Sequence, residues 1–186
     1  MGNRLSSIYT KTGDDGTTGL ANGERIDKSS LRIKVMGDID ELNSLIGVLE
    51  AVGLPDDISG YLLNIQHRLF DIGGEMAVPG NAAINPGCVK RLEELIDTYN
   101  RDLPALKEFI LPGGSMAGSI CHLARSVCRR AERHLVEMSR AEYINPETLQ
   151  YINRLSDLLF VLARTLNQEK GGKEIFWDSE RLKRSV

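Results

Sequence analysis

The sequence predicts an all-α fold, an antiparallel, ferritin-like bundle of about five helices behind an N-terminal Gly/Thr-rich loop. Three observations predict it. Apolar residues recur at helical spacing in five stretches, breakers between those stretches leave short links, and no stretch alternates convincingly as a half-buried strand would. At 186 residues, one domain can bury roughly 70% of its unfolded surface. A hydrophobic fraction of 41%, a charged fraction of 26% and a net charge of −3 describe an ordinary globular chain with no broad field for nucleic acid. No apolar run approaches the ~20 residues of a membrane-spanning helix. The expected layout is a single domain: a loop region over 1–29, a bundle over 30–170 and a tail over 171–186.

The loop Ile8-Tyr9-Thr10-Lys11-Thr12-Gly13-Asp14-Asp15-Gly16-Thr17-Thr18-Gly19-Leu20 comes first. Glycine at every third position lets the backbone approach a ligand closely. Successive amides, threonine hydroxyls and one lysine make such a loop a cradle for a polyphosphate. It has neither Walker A nor dinucleotide spacing, and it would equally serve as a solvated linker or a hairpin turn. Upstream, Met1-Gly2-Asn3-Arg4-Leu5-Ser6 fits the N-myristoylation pattern but has no polybasic companion. The residues before the loop show no signal or transit pattern, which points to the cytoplasm.

Asn22-Gly23-Glu24-Arg25 reads as a turn leading to Lys28 and Ser29-Ser30. The first helix spans about 30–52 and stops at Gly53 and Pro55; the second spans about 56–78. A Pro/Gly/Asn-rich loop over 79–87 separates it from a third helix at about 88–102. Phe109-Ile110-Leu111 before Pro112-Gly113-Gly114 is expected to be extended. A fourth helix runs from Ser115 to about Arg140, and a fifth from Asn145-Pro146 to about Lys170. Cys121 and Cys128 sit in an apolar stripe and Cys88 makes the count odd, so reduced thiols are expected. The three histidines show no metal-ligand spacing.

Two charged stripes stand out. At 100° per residue, Arg125, Arg129, Glu132 and Arg133 share a sector of the fourth helix. Ile120, Ala124, Val127, Ala131, Leu135 and Met138 face the opposite way. Such a stripe is either a solvated face or a site where guanidiniums grip an anion in bidentate fashion. On the fifth helix, Ile152, Leu155, Leu158, Leu159, Leu162 and Leu166 form the core face. Asn153, Asp157, Phe160, Arg164 and Asn167 form the other stripe, and the aromatic Phe160 among polar residues suggests a covering ligand or partner.

Five motifs in order resemble one family across nearly the whole chain. They are residues 9–20, Gly37-Asp38-Ile39-Asp40-Glu41-Leu42-Asn43-Ser44, Phe109 to Gly114, Cys128-Arg129-Arg130-Ala131-Glu132-Arg133, and Ile152-Asn153-Arg154-Leu155-Ser156-Asp157. They resemble propanediol-utilisation-type ATP:cob(I)alamin adenosyltransferases. The resemblance implies a homotrimer with sites between subunits, ATP and cob(I)alamin as substrates, Mg²⁺ accompanying ATP, and release of triphosphate. It implies an ATP site of Thr10, Lys11, Thr12, Gly13, Thr18, Gly19, Lys28, Arg129, Arg130, Ala131, Glu132, Arg133 and Asn153. It places Asp40, Phe109, Arg125 and Phe160 at the corrinoid, with Asp40 and Arg125 bridging two subunits. Phe109, Arg129 and Asn153 are the residues it makes catalytic. Asp15 departs from the basic residue common there, and Ser29-Ser30 from an acidic pair. The tail from Phe176-Trp177 onward matches no motif. The rival readings are a sensor or delivery module that binds ATP and corrinoid without turnover, and a structural bundle.

Overall fold

The structure, a computed structural model, describes residues 8–169 and 171–181. The Met1–Ser6 pattern, Lys170 and the last five residues of the tail lie outside the described residues. An antiparallel hairpin of β1 (Thr17–Gly19) and β2 (Arg25–Asp27) pairs Thr18 with Ile26. Behind it come α1 (Leu31–Glu50), α2 (Asp56–Ala77), α3 (Pro86–Asn100), α4 (Met116–Met138) and α5 (Pro146–Glu169). The bundle is as expected, and the Gly/Thr loop takes the hairpin option, with two short strands that no alternation announced. Strands of three residues are too short to show a period.

The helices α4 and α5 pack along one another at the centre, with α1 against α4, α2 against α1 and α3 against α5. Leu42, Ile46, Leu62, Leu69, Leu135 and Leu155 are fully buried between them, each worth about 1.5–3 kcal/mol relative to exposure. Small residues on α4 permit the close α4–α5 approach. A Cβ on Gly118 would stand 2.0 Å from Asn167 Oδ1 and 3.0 Å from the Ala163 carbonyl.

Capping sets the boundaries. Asn85 Oδ1 accepts from Gly87 N (2.9 Å) and Cys88 N (3.3 Å), so α3 begins at Pro86, two residues before the expected start. Ser115 Oγ accepts from Gly118 N (3.0 Å), and Asn145 Oδ1 from Glu147 N (3.2 Å). Ser30 stands at the start of α1 with no side-chain cap hydrogen bond. A buried carboxylate, Glu75, fastens the loop after α2 by accepting from Ala83 N (2.6 Å), Ile84 N (2.9 Å), Asn145 Nδ2 (3.0 Å) and Thr148 Oγ1 (2.5 Å).

The polar stripe of α5 is only partly on the surface. Arg164 and Asn167, expected opposite the core, are 3% and 1% exposed. The segments around residues 104–115 and 172–177 fold over that end of the helix. Arg164 Nε donates to Glu174 (2.7 Å) and Nη2 to the Pro104 carbonyl (2.8 Å). Asn167 Oδ1 accepts from Ser115 N (2.8 Å), and its Nδ2 donates to the Gly113 carbonyl (2.9 Å). The segment before Pro112 is extended as expected and pairs with the tail, through Trp177 N to the Phe109 carbonyl (2.7 Å) and Leu111 N to the Ile175 carbonyl (2.8 Å).

Candidate functional site

The N-terminal loop is both a hairpin element and a concentration of free donors. Gly16 N donates to the Gly13 carbonyl (3.2 Å) and Lys28 N to the Gly16 carbonyl (2.9 Å), closing the turn that feeds β1. Lys11, not Gly13, takes the left-handed conformation, with φ 60°. The amides of Lys11, Thr12 and Gly13 and the Lys11 ammonium have no partner among the described residues. Thr10 and Thr12 hydroxyls lie 2.8 Å apart. Lys28 Nζ donates to the Gly13 carbonyl (2.7 Å) and so braces the loop from below.

Arg25, which sequence reasoning missed, is the second brace. Its guanidinium donates to the Thr12 carbonyl and the Thr17 hydroxyl and stands 3.7 Å from Asp15. The signal would have been its register opposite Gly19 in the hairpin. Asp15 accepts from Thr17 N (2.9 Å) and Thr17 Oγ1 (2.8 Å). Those bonds hold its carboxyl below the ordinary range, with Arg25 assisting. The acidic departure thus closes a turn.

Thr18, Lys28 and Asp40 border one cavity of about 720 Å³ between the hairpin, α1 and α2. Its other walls include Ile33, Met36 and the largely exposed Phe70. Gly19 lies in β1 beside it.

The remaining residues gather on a different surface. Arg129, Glu132 and Arg133 border a groove along α4. Phe109, Arg125 and Phe160 border a recess of about 460 Å³, with Phe109 75% exposed. Arg125, Arg129, Asp157 and Phe160 border a smaller recess connecting the two. Arg125 has a buried Nε with no partner and no ion pair among the described residues. Burial, then the neighbouring Arg129, lowers its pKa. A partly desolvated guanidinium with no counter-charge is well placed to receive an anion. Asp157 is displaced the other way: burial raises its carboxyl pKa, against Arg154 and Arg129.

Asn153 is held by a chain of polar contacts across three helices. Glu93 on α3 accepts from Arg154 Nε (3.0 Å), Arg154 Nη1 donates to Asn153 Oδ1 (2.7 Å), and Asn153 Nδ2 donates to Glu132 Oε1 (2.7 Å). Two expected ligands behave otherwise. Ala131 is fully buried in the core, so its side chain presents nothing to a surface ligand. Arg130 points around the helix from Arg129 and pairs with Asp38 (Nε–Oδ1 2.8 Å) and Glu41 on α1. His134 Nδ1 shares Asp38 at 2.6 Å.

No hydrogen bond or ion pair among the described residues joins the loop to Arg129, Arg133 or Asn153, or Asp40 to Arg125. One chain presents two separate surfaces: a donor-rich loop beside an apolar cavity, and an arginine groove beside two aromatics. These features describe a helical-bundle protein with polyphosphate-type donors and an exposed aromatic surface.

The chain belongs to the cobalamin adenosyltransferase family, whose model matches residues 8–166. It is 55% identical to a cobalamin adenosyltransferase of Cupriavidus metallidurans over 97% of this chain and 99% of that one. It is 47% identical to a corrinoid adenosyltransferase of Bacillus subtilis, covering 88% of each. A solved variant of the PduO-type ATP:corrinoid adenosyltransferase of Lactobacillus reuteri, complexed with cobalamin and ATP, superposes with TM-score 0.87 at 37% identity. That match covers 93% of this chain and all of that chain.

Proposed function

We propose that this protein transfers the 5′-deoxyadenosyl group of ATP to the cobalt of cob(I)alamin, giving adenosylcobalamin and triphosphate, at sites formed between copies of the chain in a cytoplasmic homotrimer. The observation that supports a shared site is the separation of the loop and the arginine groove on one chain, each with unsatisfied cations. In this reading Asp40 of one copy meets the half-buried, unpaired Arg125 of the next.

The cobalt lone pair forms the Co–C bond as the C5′–O bond breaks, and the departing pair leaves with triphosphate. Co(I) is already a strong nucleophile, so the protein's work is alignment and charge. Holding cobalt in line with C5′ supplies several kcal/mol. The amides of Lys11, Thr12 and Gly13, the hydroxyls of Thr10, Thr12 and Thr18, the cations Lys11, Lys28, Arg129 and Arg133, and Asn153 stabilise the leaving triphosphate. Gly19 gives the hairpin room beside the nucleotide, and Glu132 fixes Asn153. Arg130 supports this surface through its pairs with Asp38 and Glu41.

Among the described residues no three acidic, His or Cys side chains form a metal cage. Mg²⁺ would come bound to the ATP phosphates with water and at most one or two carboxylates, where it would share the triphosphate's charge. Phe109 and Phe160 give the corrinoid's lower face a dry, apolar floor that keeps an axial donor off cobalt and eases reduction of Co(II) to Co(I).

The test is spectral: reduced cobalamin with MgATP should lose Co(I) absorbance and yield a light-sensitive alkylcobalt product. Binding of both substrates without that change would make the protein a sensor or delivery module instead. Phe109→Ala should keep ATP affinity and lose most turnover with a mild reductant. Turnover near wild type there would remove the apolar-floor mechanism.

A further inference from the structure

A cleft of about 480 Å³ opens between α2 and α3 and shares no lining residue with the cavities described above. Its lining includes two guanidiniums, Arg68 and Arg91, and no carboxylate. Each arginine gives only Nη1 to an acidic neighbour on its own helix, Arg68 to Asp71 (2.9 Å) and Arg91 to Glu94 (3.2 Å). The Nε and Nη2 groups of both donate to no described residue. Arg91 Cζ lies 5.2 Å from the centre of the Tyr61 ring, a stacking contact that orients the fork.

The wall formed by α5 contributes Tyr151, 2% exposed, whose hydroxyl makes no hydrogen bond to any described residue. The ring is buried but the hydroxyl keeps accessible surface, and as Tyr151 lines the cleft that hydroxyl is available there as a donor. The Asn64 amide adds a further polar group, and Leu92 and Leu95 form apolar walls. Guanidinium forks match the paired oxygens of a phosphate or carboxylate. A pocket with a few convergent donors among apolar walls takes a ligand with an apolar body and a polar end.

We propose that this cleft binds a small organic anion, a phosphate monoester or carboxylate with an apolar or aromatic body, separately from ATP and the corrinoid. The anionic end lies between Arg68 and Arg91 and accepts from the Tyr151 hydroxyl, while the body rests on Leu92, Leu95 and the Tyr61 ring.

Calorimetry on the full chain saturated with MgATP, using phenyl phosphate and benzoate as probes, tests this. At least one probe should bind with Kd of about 1 mM or tighter. The Arg68→Gln/Arg91→Gln double variant should weaken it at least about tenfold. Tyr151→Phe, which removes one oxygen and keeps the ring, should weaken it several-fold while ATP affinity and thermal melting stay as in the wild type. Absence of binding by both probes at millimolar concentration, displacement of the probe by ATP, or undiminished binding by the double variant would each overturn the proposal.

Discussion

His122 is 3% exposed, and neither of its ring nitrogens has a partner. Its ring meets Phe160 edge to face at 6.1 Å between centroids. Burial holds its pKa below 6.5, Arg125 pushes the same way and Glu174 opposes them. Because the native value is depressed, the unfolded chain takes up a proton first as pH falls. The neutral imidazole's contribution to stability is therefore complete above the unfolded value of about 6.5 and is lost as pH drops toward the native one. The melting temperature of wild type should fall more between about pH 7.5 and pH 5.5 than that of His122→Phe; equal falls would show that another group dominates. Cys121 and Cys128 are as inert as the stripe suggested: burial pushes the Cys121 thiol up to about 12, and Cys128 Sγ–H donates to the Ile152 carbonyl at 3.2 Å. Gly118 is where packing tolerates least. Gly118→Ala puts a methyl into Asn167 and toward the Ala163 carbonyl, and should cost about 1–3 kcal/mol, read as a lower urea midpoint at unchanged slope.

Among the elements, the tail changes most from the sequence reading. Residues after α5 looked like an appendage without a motif, yet they pair with the Phe109 segment, and Trp177 meets the Phe109 ring at 6.4 Å. Glu174 is the fastening, because it supplies the counter-charge to a guanidinium that is almost wholly buried. Glu174→Ala leaves Arg164 uncompensated and should destabilise by about 3–5 kcal/mol. Adding Arg164→Met should recover part of that loss in a double-mutant cycle, since an apolar chain in the same place needs no partner. If the double variant is weaker than Glu174→Ala alone, the tail is held mainly by its backbone pairing. The boundary of α3 teaches a related lesson: Pro86 reads as a breaker until Asn85 is seen to cap it, because a proline at the first helical position gives up an amide that had no partner anyway.

At the scale of the whole molecule, the proposal that the two surfaces meet between copies makes a prediction about assembly. Lys11→Ala damages one surface and Arg129→Ala the other, so each homo-oligomer should be nearly inactive. Refolded together in equal amounts, the two variants should regain activity at about a quarter of the sites, where an intact loop meets an intact arginine groove across a head-to-tail interface. No recovery above the mean of the separate variants would place the whole site on one chain. Asp40→Arg should likewise lose activity and regain part of it when paired with Arg125→Asp, and light scattering would report whether the assembly itself survives.

By itself the sequence determined the helices, their apolar faces and the chemistry of the Gly/Thr loop and the α4 arginines. Those depend on period, capping and residue type, which are local. Only the tertiary structure decided that Arg164 and Asn167 are buried, that Arg130 faces Asp38 and Glu41, and that Arg25 and Lys28 brace the loop. Each of these depends on which distant segment comes to lie over a given face, and no spacing along the chain records that.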